Sequence, residues 1–166
     1  MKMRFMIWDT KSGAQMIIDK QLQKVKKHFE ALQEYESFIE DMNFNFTLEE
    51  FERLDTSQKA VLEAYLKRFA ALQDYLGAKV FKSLLDISGI SYSKMSEVLT
   101  IIEKEEIISL DRWIEFRNTR NELEHDYPDE IEEALNDLKY CVDSFEYMQE
   151  IVQKVFDFAG RYNENI

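Results

Sequence analysis

Residues 18–39 read IDKQLQKVKKHFEALQEYESFI. The apolar side chains Ile18, Leu22, Val25, Phe29, Leu32 and Ile39 recur there at steps of three, four or seven. That period places them along one face of a helix. A half-buried strand would alternate every second residue instead. The stretch predicts one long amphipathic helix, and a helix with one apolar face must bury it against others.

The same period continues outward. Asn43–Phe46 reads as a turn, and Thr47-Leu-Glu-Glu50 fits a capping box that opens a short helix. Asp55 or Thr56 can cap a longer one carrying Val61, Tyr65, Phe69, Leu72, Leu76, Val80 and Leu84, which Gly89 ends. Ser91 or Ser93 starts a short helix with Met95, Val98, Leu99 and Ile102. The acidic run Glu103–Glu106 reads as a solvated helix end, and a further helix begins near Ser109 with Leu110, Trp113, Ile114 and Phe116. Pro128 fits the first position of one last helix, with Asp129 and Glu130 favourable to its N-terminal dipole. The apolar face of that helix is Ile131, Leu135, Leu138, Val142, Phe145, Val152, Phe156 and Ala159.

Composition agrees. Only 4 Gly and 1 Pro stand among 166 residues, too few for a turn-rich β architecture. The expectation is one all-α domain over residues 1–166, an antiparallel bundle of about four to five helices with a short N-terminal extension near Met1–Gly13. The stripes formed by 12 Phe and 8 Tyr read as core. No apolar run approaches the roughly 18 residues of a membrane span. Met1–Trp8 is interrupted by Lys2 and Arg4 and does not read as a signal peptide. Cys141 is the only cysteine and lies on an apolar face, so it reads as a buried inert thiol in a cytoplasmic protein.

The net charge of −12 argues against a broad nucleic-acid surface, since phosphate affinity comes from Lys and Arg. An RNA contact would have to be local or shared with a second chain, so a homodimer is expected. His28, among Lys24, Lys26 and Lys27, reads as part of a solvated face and at most a weak RNA or partner contact.

One segment breaks the pattern. Residues 117–127 read RNTRNELEHDY. Helical geometry puts Arg117, Asn121 and His125 near one face, with Arg120 beside them. His is the usual acid–base group near neutral pH, and Arg holds phosphate through a bidentate fork. Together they suffice for metal-independent RNA cleavage by attack of a 2′-OH on the adjacent phosphate. The other reading has Arg117 and Arg120 paired with nearby Glu side chains and His125 capping the helix end. No metal-ligand spacing is evident, and no cofactor is expected.

The string Arg120-Asn-Glu-Leu-Glu-His125-Asp-Tyr127 resembles the HEPN motif in its Arg-x4-His-x-Tyr form. The resemblance implies a helical bundle with the motif late in the chain. It also implies an endoribonuclease toxin of a type II or type VII-like pair with a minimal nucleotidyltransferase (MNT) antitoxin. Two motifs would face a shared cleft in a homodimer. Arg120 would bind phosphate, His125 act as acid or base, and Asn121 and Arg117 support or bind substrate. Tyr127 would accept AMP from the antitoxin and so block the site. The alternatives are a non-catalytic nucleotide- or substrate-binding subunit of such a nucleotidyltransferase, or a helical scaffold with no site.

Overall fold

The computed structural model describes residues 12–127 and 129–162, and every regular element among them is helical. The short N-terminal extension expected near Met1–Gly13 falls mostly on residues 1–11, outside the described residues. Helix α1 spans Gly13–Asp41, with the Ser12 hydroxyl accepting the Gln15 N–H at 3.1 Å. Ile18, Val25, Leu32 and Ile39 are buried, as the spacing requires. Helix α2, Leu48–Arg53, starts at Thr47, whose hydroxyl accepts the Glu50 N–H at 3.2 Å. The Glu50 carboxylate accepts the Asn45 N–H at 3.1 Å, two residues before the N-cap whose N–H a simple capping box would engage. The intervening turn holds Asn43 and Phe46 at positive φ, 50° and 59°.

Helix α3, Thr56–Tyr75, opens on a full capping box between Asp55 and Gln58. It runs through a π-helical segment, Leu76–Val80, into α4, Phe81–Ser88. Gly77 sits in that segment because α6 passes close by: a Cβ there would lie 3.3 Å from the Trp113 ring. Gly89 ends α4 at φ 74°, and Ile90 N–H returns to Leu85 O at 3.0 Å, closing a Schellman turn. Helix α5, Met95–Lys104, starts one residue later than expected, at Lys94; Ser93 instead donates to Glu97 through its hydroxyl and its N–H.

Helix α6, Leu110–Asp126, carries the motif. Its entry is held by Glu103, which accepts the Leu110 N–H at 2.6 Å, and by the Tyr147 hydroxyl, which accepts the Ser109 N–H at 2.8 Å. So part of the acidic run anchors a helix start rather than standing only as a solvated end. The expected single last helix is two: α7, Ile131–Asp143, and α8, Phe145–Arg161. At the break the Ser144 hydroxyl bonds Tyr140 O at 2.7 Å, competing with the helical ladder. Apolar spacing persists across the break, which is why periodicity did not reveal it. Pro128 lies outside the described residues.

The elements form a helical bundle in which α1 packs chiefly on α3 and α6 on α7. Phe116 is fully buried at its centre, with Phe69, Tyr140 and Tyr147 ring-to-ring at 5.2–6.0 Å. Buried Tyr65 donates its hydroxyl to Cys141 O at 2.8 Å. Cys141 is fully buried, and desolvation pushes its thiol up to about 12, so it is inert as expected. Among the described residues no helix is long and apolar enough to cross a membrane.

Candidate functional site

Helix α6 becomes polar after Phe116, and its buried positions thin out to Arg120 and Leu123. Arg117, Asn121 and His125 are exposed along one face, as their spacing requires. Arg120 does not share that face. Its side chain is 9% exposed and turns toward α3, where Asp74 binds it through two oxygens at 2.8 and 2.9 Å. The expected cluster of two guanidiniums on one exposed face is therefore corrected: the apolar seam against α3 takes Arg120 inward. Nor does Arg120 pair with a neighbouring Glu, since its partner comes from 46 residues upstream.

This bidentate pair is asymmetric. Asp74 is 63% exposed and keeps much of its hydration, while the guanidinium is buried and fixed in one plane. Arg117 and Arg120 meet at a pocket of about 240 Å³ between α3, the π-segment, α5 and α6. Its apolar lining includes Trp113, Leu99 and Met95. Gln73 Oε1 and Arg120 Nε are buried there without a hydrogen-bond partner. His125 and Tyr127 are not among the lining residues.

Tyr127 ends α6 in an extended conformation, φ −87° and ψ 133°, as expected for a residue before proline. Its side chain is half-buried rather than free in solvent. Helix α3 supplies Glu63, which lines the same hollow, and burial first and then this carboxylate push the hydroxyl up to about 12. Tyr127 shares a hollow with Glu63, Leu66, Lys67 and Glu124, so its charged neighbours are these and not Arg120.

On the α7 side, Asp137 is pushed up by burial and then by Glu122 and Asp126. Carboxylates crowd there, and a polyanion would be repelled from that side. The remaining arginine of α6 is already engaged: the Arg112 guanidinium lies 3.6 Å from the Tyr147 ring centroid. Among the described residues no three His, Cys, Asp or Glu side chains gather as metal ligands.

His28 departs from the solvated face expected of it. It is half-buried between α1 and α3, where Arg68 Nη1 lies 3.0 Å from its Nδ1. Burial, then Arg68 and Lys24, push its imidazole below the usual value.

Sequence reasoning did not reach Asp74, Gln73, Glu63 or Arg68. Each acts across helices, and no local spacing marks it. Comparison with protein-family models, with curated proteins and with solved structures finds no match for this chain.

Proposed function

We propose that the chain is an HEPN-like endoribonuclease toxin that cleaves RNA without a metal ion in the cytoplasm, as a homodimer. The observation that supports this best is Arg120. Its guanidinium, held in plane by Asp74, lines one pocket with the exposed Arg117, and the pair is suited to draw a phosphodiester there, with Arg117 making the direct contact and Arg120 adding fixed positive charge. His125 stands exposed one and a half turns later on α6, suited to exchange protons with substrate.

Arg120 and His125 diverge by about 140° around the helix, at 100° per residue. A single phosphate meets both kinds of group more readily across a groove between two copies. In that cleft one imidazole takes the proton of the attacking 2′-OH. The second protonates the departing 5′ oxygen, leaving a 2′,3′-cyclic phosphate. Arg117 and Asn121 would orient the strand. The carboxylates on the α7 side favour approach over α3.

The antitoxin in this reading is an MNT-type nucleotidyltransferase acting on Tyr127. The phenol oxygen would attack the α-phosphorus of ATP, pyrophosphate would leave, and Glu63 would take the phenol proton. The adduct would sit beside Lys67 and obstruct the α3 approach. Co-expression with the cognate nucleotidyltransferase should add AMP to Tyr127 and not to the Tyr127→Phe variant. Intact mass decides this, and an unmodified chain would mean that any antitoxin works by binding.

The test of the main reading is RNA cleavage by the purified chain in EDTA, with His125→Ala as the comparison. Loss of cleavage with unchanged helical content is expected. Undiminished cleavage by the variant removes the role given to His125, and EDTA sensitivity removes the metal-free mechanism. Light scattering that shows a monomer at micromolar concentration counts against the shared cleft.

One observation favours the second reading, a non-catalytic nucleotide-binding subunit of a nucleotidyltransferase. The pocket lined by Trp113 and two arginines is large enough for a nucleobase with its phosphate outside. Tight mononucleotide binding with no cleavage of any RNA would select it.

A further inference from the structure

The groove between α1 and α3 concentrates positive charge in a chain of net charge −12. Lys24 Nζ lies 4.5 Å from the centroid of the Tyr75 ring. The His28 ring lies 6.1 Å from the same ring, and Arg68 bonds His28 at 3.0 Å. Lys24, His28 and Arg68 therefore form one contiguous cluster around Tyr75. Neither Lys24 nor Arg68 has a carboxylate within ion-pair distance among the described residues.

This is not for want of acids, of which the chain has 33. The helical neighbours of Lys24 are Lys20, Gln21, Lys27 and His28. Those of Arg68 are Ala64, Tyr65, Ala71 and Leu72. No acid occupies the positions from which an ordinary surface pair would form. Ala64 and Ala71 leave space instead, and Arg68, Lys67 and Tyr35 complete a hollow of about 360 Å³.

The chemistry of the imidazole points the same way. A guanidinium only donates, so His28 Nδ1 accepts and the ring proton resides on Nε2. The cluster thus presents an ammonium, a guanidinium and an imidazole N–H, all donors, beside the Tyr75 ring, with Tyr35 lining the adjacent hollow. Cations interleaved with aromatic rings suit the backbone and bases of a single strand.

We propose that Lys24, His28 and Arg68 hold a phosphate of single-stranded RNA in the α1–α3 groove, with the strand crossing α3 toward Arg117. Helix α3 is the shared wall. Asp74 faces Arg120 of α6, and the next residue, Tyr75, faces Lys24 and His28 of α1. The choice of RNA as ligand rests on the ribonuclease reading; the cluster does not.

The chain has 2 histidines, so each imidazole reports on its own site by NMR. The probe is a single-stranded RNA of about ten nucleotides, a length within the usual site sizes, with every 2′-OH methylated so that it cannot be cleaved. Binding should move the His28 resonance and raise the pH at which it titrates, since a phosphate offsets Lys24 and Arg68. The paired substitution Lys24→Gln, Arg68→Gln should weaken binding about ten-fold at physiological salt and lower the slope of log K against log salt by about 0.7 per cation removed.

A His28 resonance that stays still while RNA binds, or an unchanged salt slope in the double variant, overturns the proposal. Hexaglutamate moving His28 where RNA does not would assign the groove to an acidic peptide, which also overturns it. The two readings fail separately. Cleavage that depends on His125 with a silent His28 leaves the ribonuclease and removes the groove. A responsive His28 with no cleavage keeps the groove and removes the ribonuclease.

Discussion

The two halves of α6 belong to one helix and are held in different ways. From Leu110 to Phe116 the helix is fixed by shape: Trp113 and Phe116 are buried among aromatic rings, and Gly77 of the π-segment makes room for the Trp113 indole. From Arg117 to Asp126 only Arg120 and Leu123 are buried, and the tie to α3 runs largely through charge. The first half anchors the element. The second half is left free to carry polar groups that a core would not tolerate, at the cost of depending on Asp74 and Glu63 for its position.

Substitutions can break this contrast. Phe116→Ala should lose about 3–5 kcal/mol of stability, the usual result of truncating a fully buried aromatic. A loss under about 1 kcal/mol in chemical denaturation would mean that the first half is not the anchor.

The ion pair sharpens the contrast, because its two partners should not be equivalent. Asp74→Ala leaves a buried guanidinium without its counter-charge and should destabilise by about 2 kcal/mol, reduced from the fully buried case by the exposure of the pair. Arg120→Met keeps the volume and leaves an aspartate that water can solvate, so it should cost less than Asp74→Ala. Equal losses in thermal melts would show that desolvation of Arg120 is not the deciding term.

At the end of the helix, Tyr127→Phe removes a half-buried hydroxyl that faces Glu63 and should cost at most about 1 kcal/mol. The hydroxyl is pushed up to about 12 in the folded protein from an ordinary 10. A raised folded-state value gives stability that is full below pH 10 and is lost as pH rises toward 12. Wild type should therefore lose more stability over that alkaline window than Tyr127→Phe, and parallel curves would show that Glu63 does not hold the phenol.

The smallest structural effect belongs to the residue given the largest chemical one. His125 is exposed, so His125→Ala should change stability by less than about 0.5 kcal/mol while abolishing RNA cleavage. A large stability loss would make any activity result uninterpretable as chemistry and would return His125 to the role of a helix cap.

By itself the sequence determined the all-α class and the buried faces of α1, α3 and α4. Apolar periodicity is a local property, and a helix with such a stripe has one way to bury it. It also marked Arg117, Asn121 and His125 as one exposed face, because their spacing needs no partner helix. Only the tertiary structure decided that Arg120 leaves this face for Asp74, that Tyr127 shares a hollow with Glu63, and that His28 leans on Arg68. Each of these depends on which turn of α3 lies opposite, and no spacing within a single helix encodes that. The break at Ser144 was hidden for a related reason: the apolar period runs through it, and only the path of the backbone shows where the helix stops.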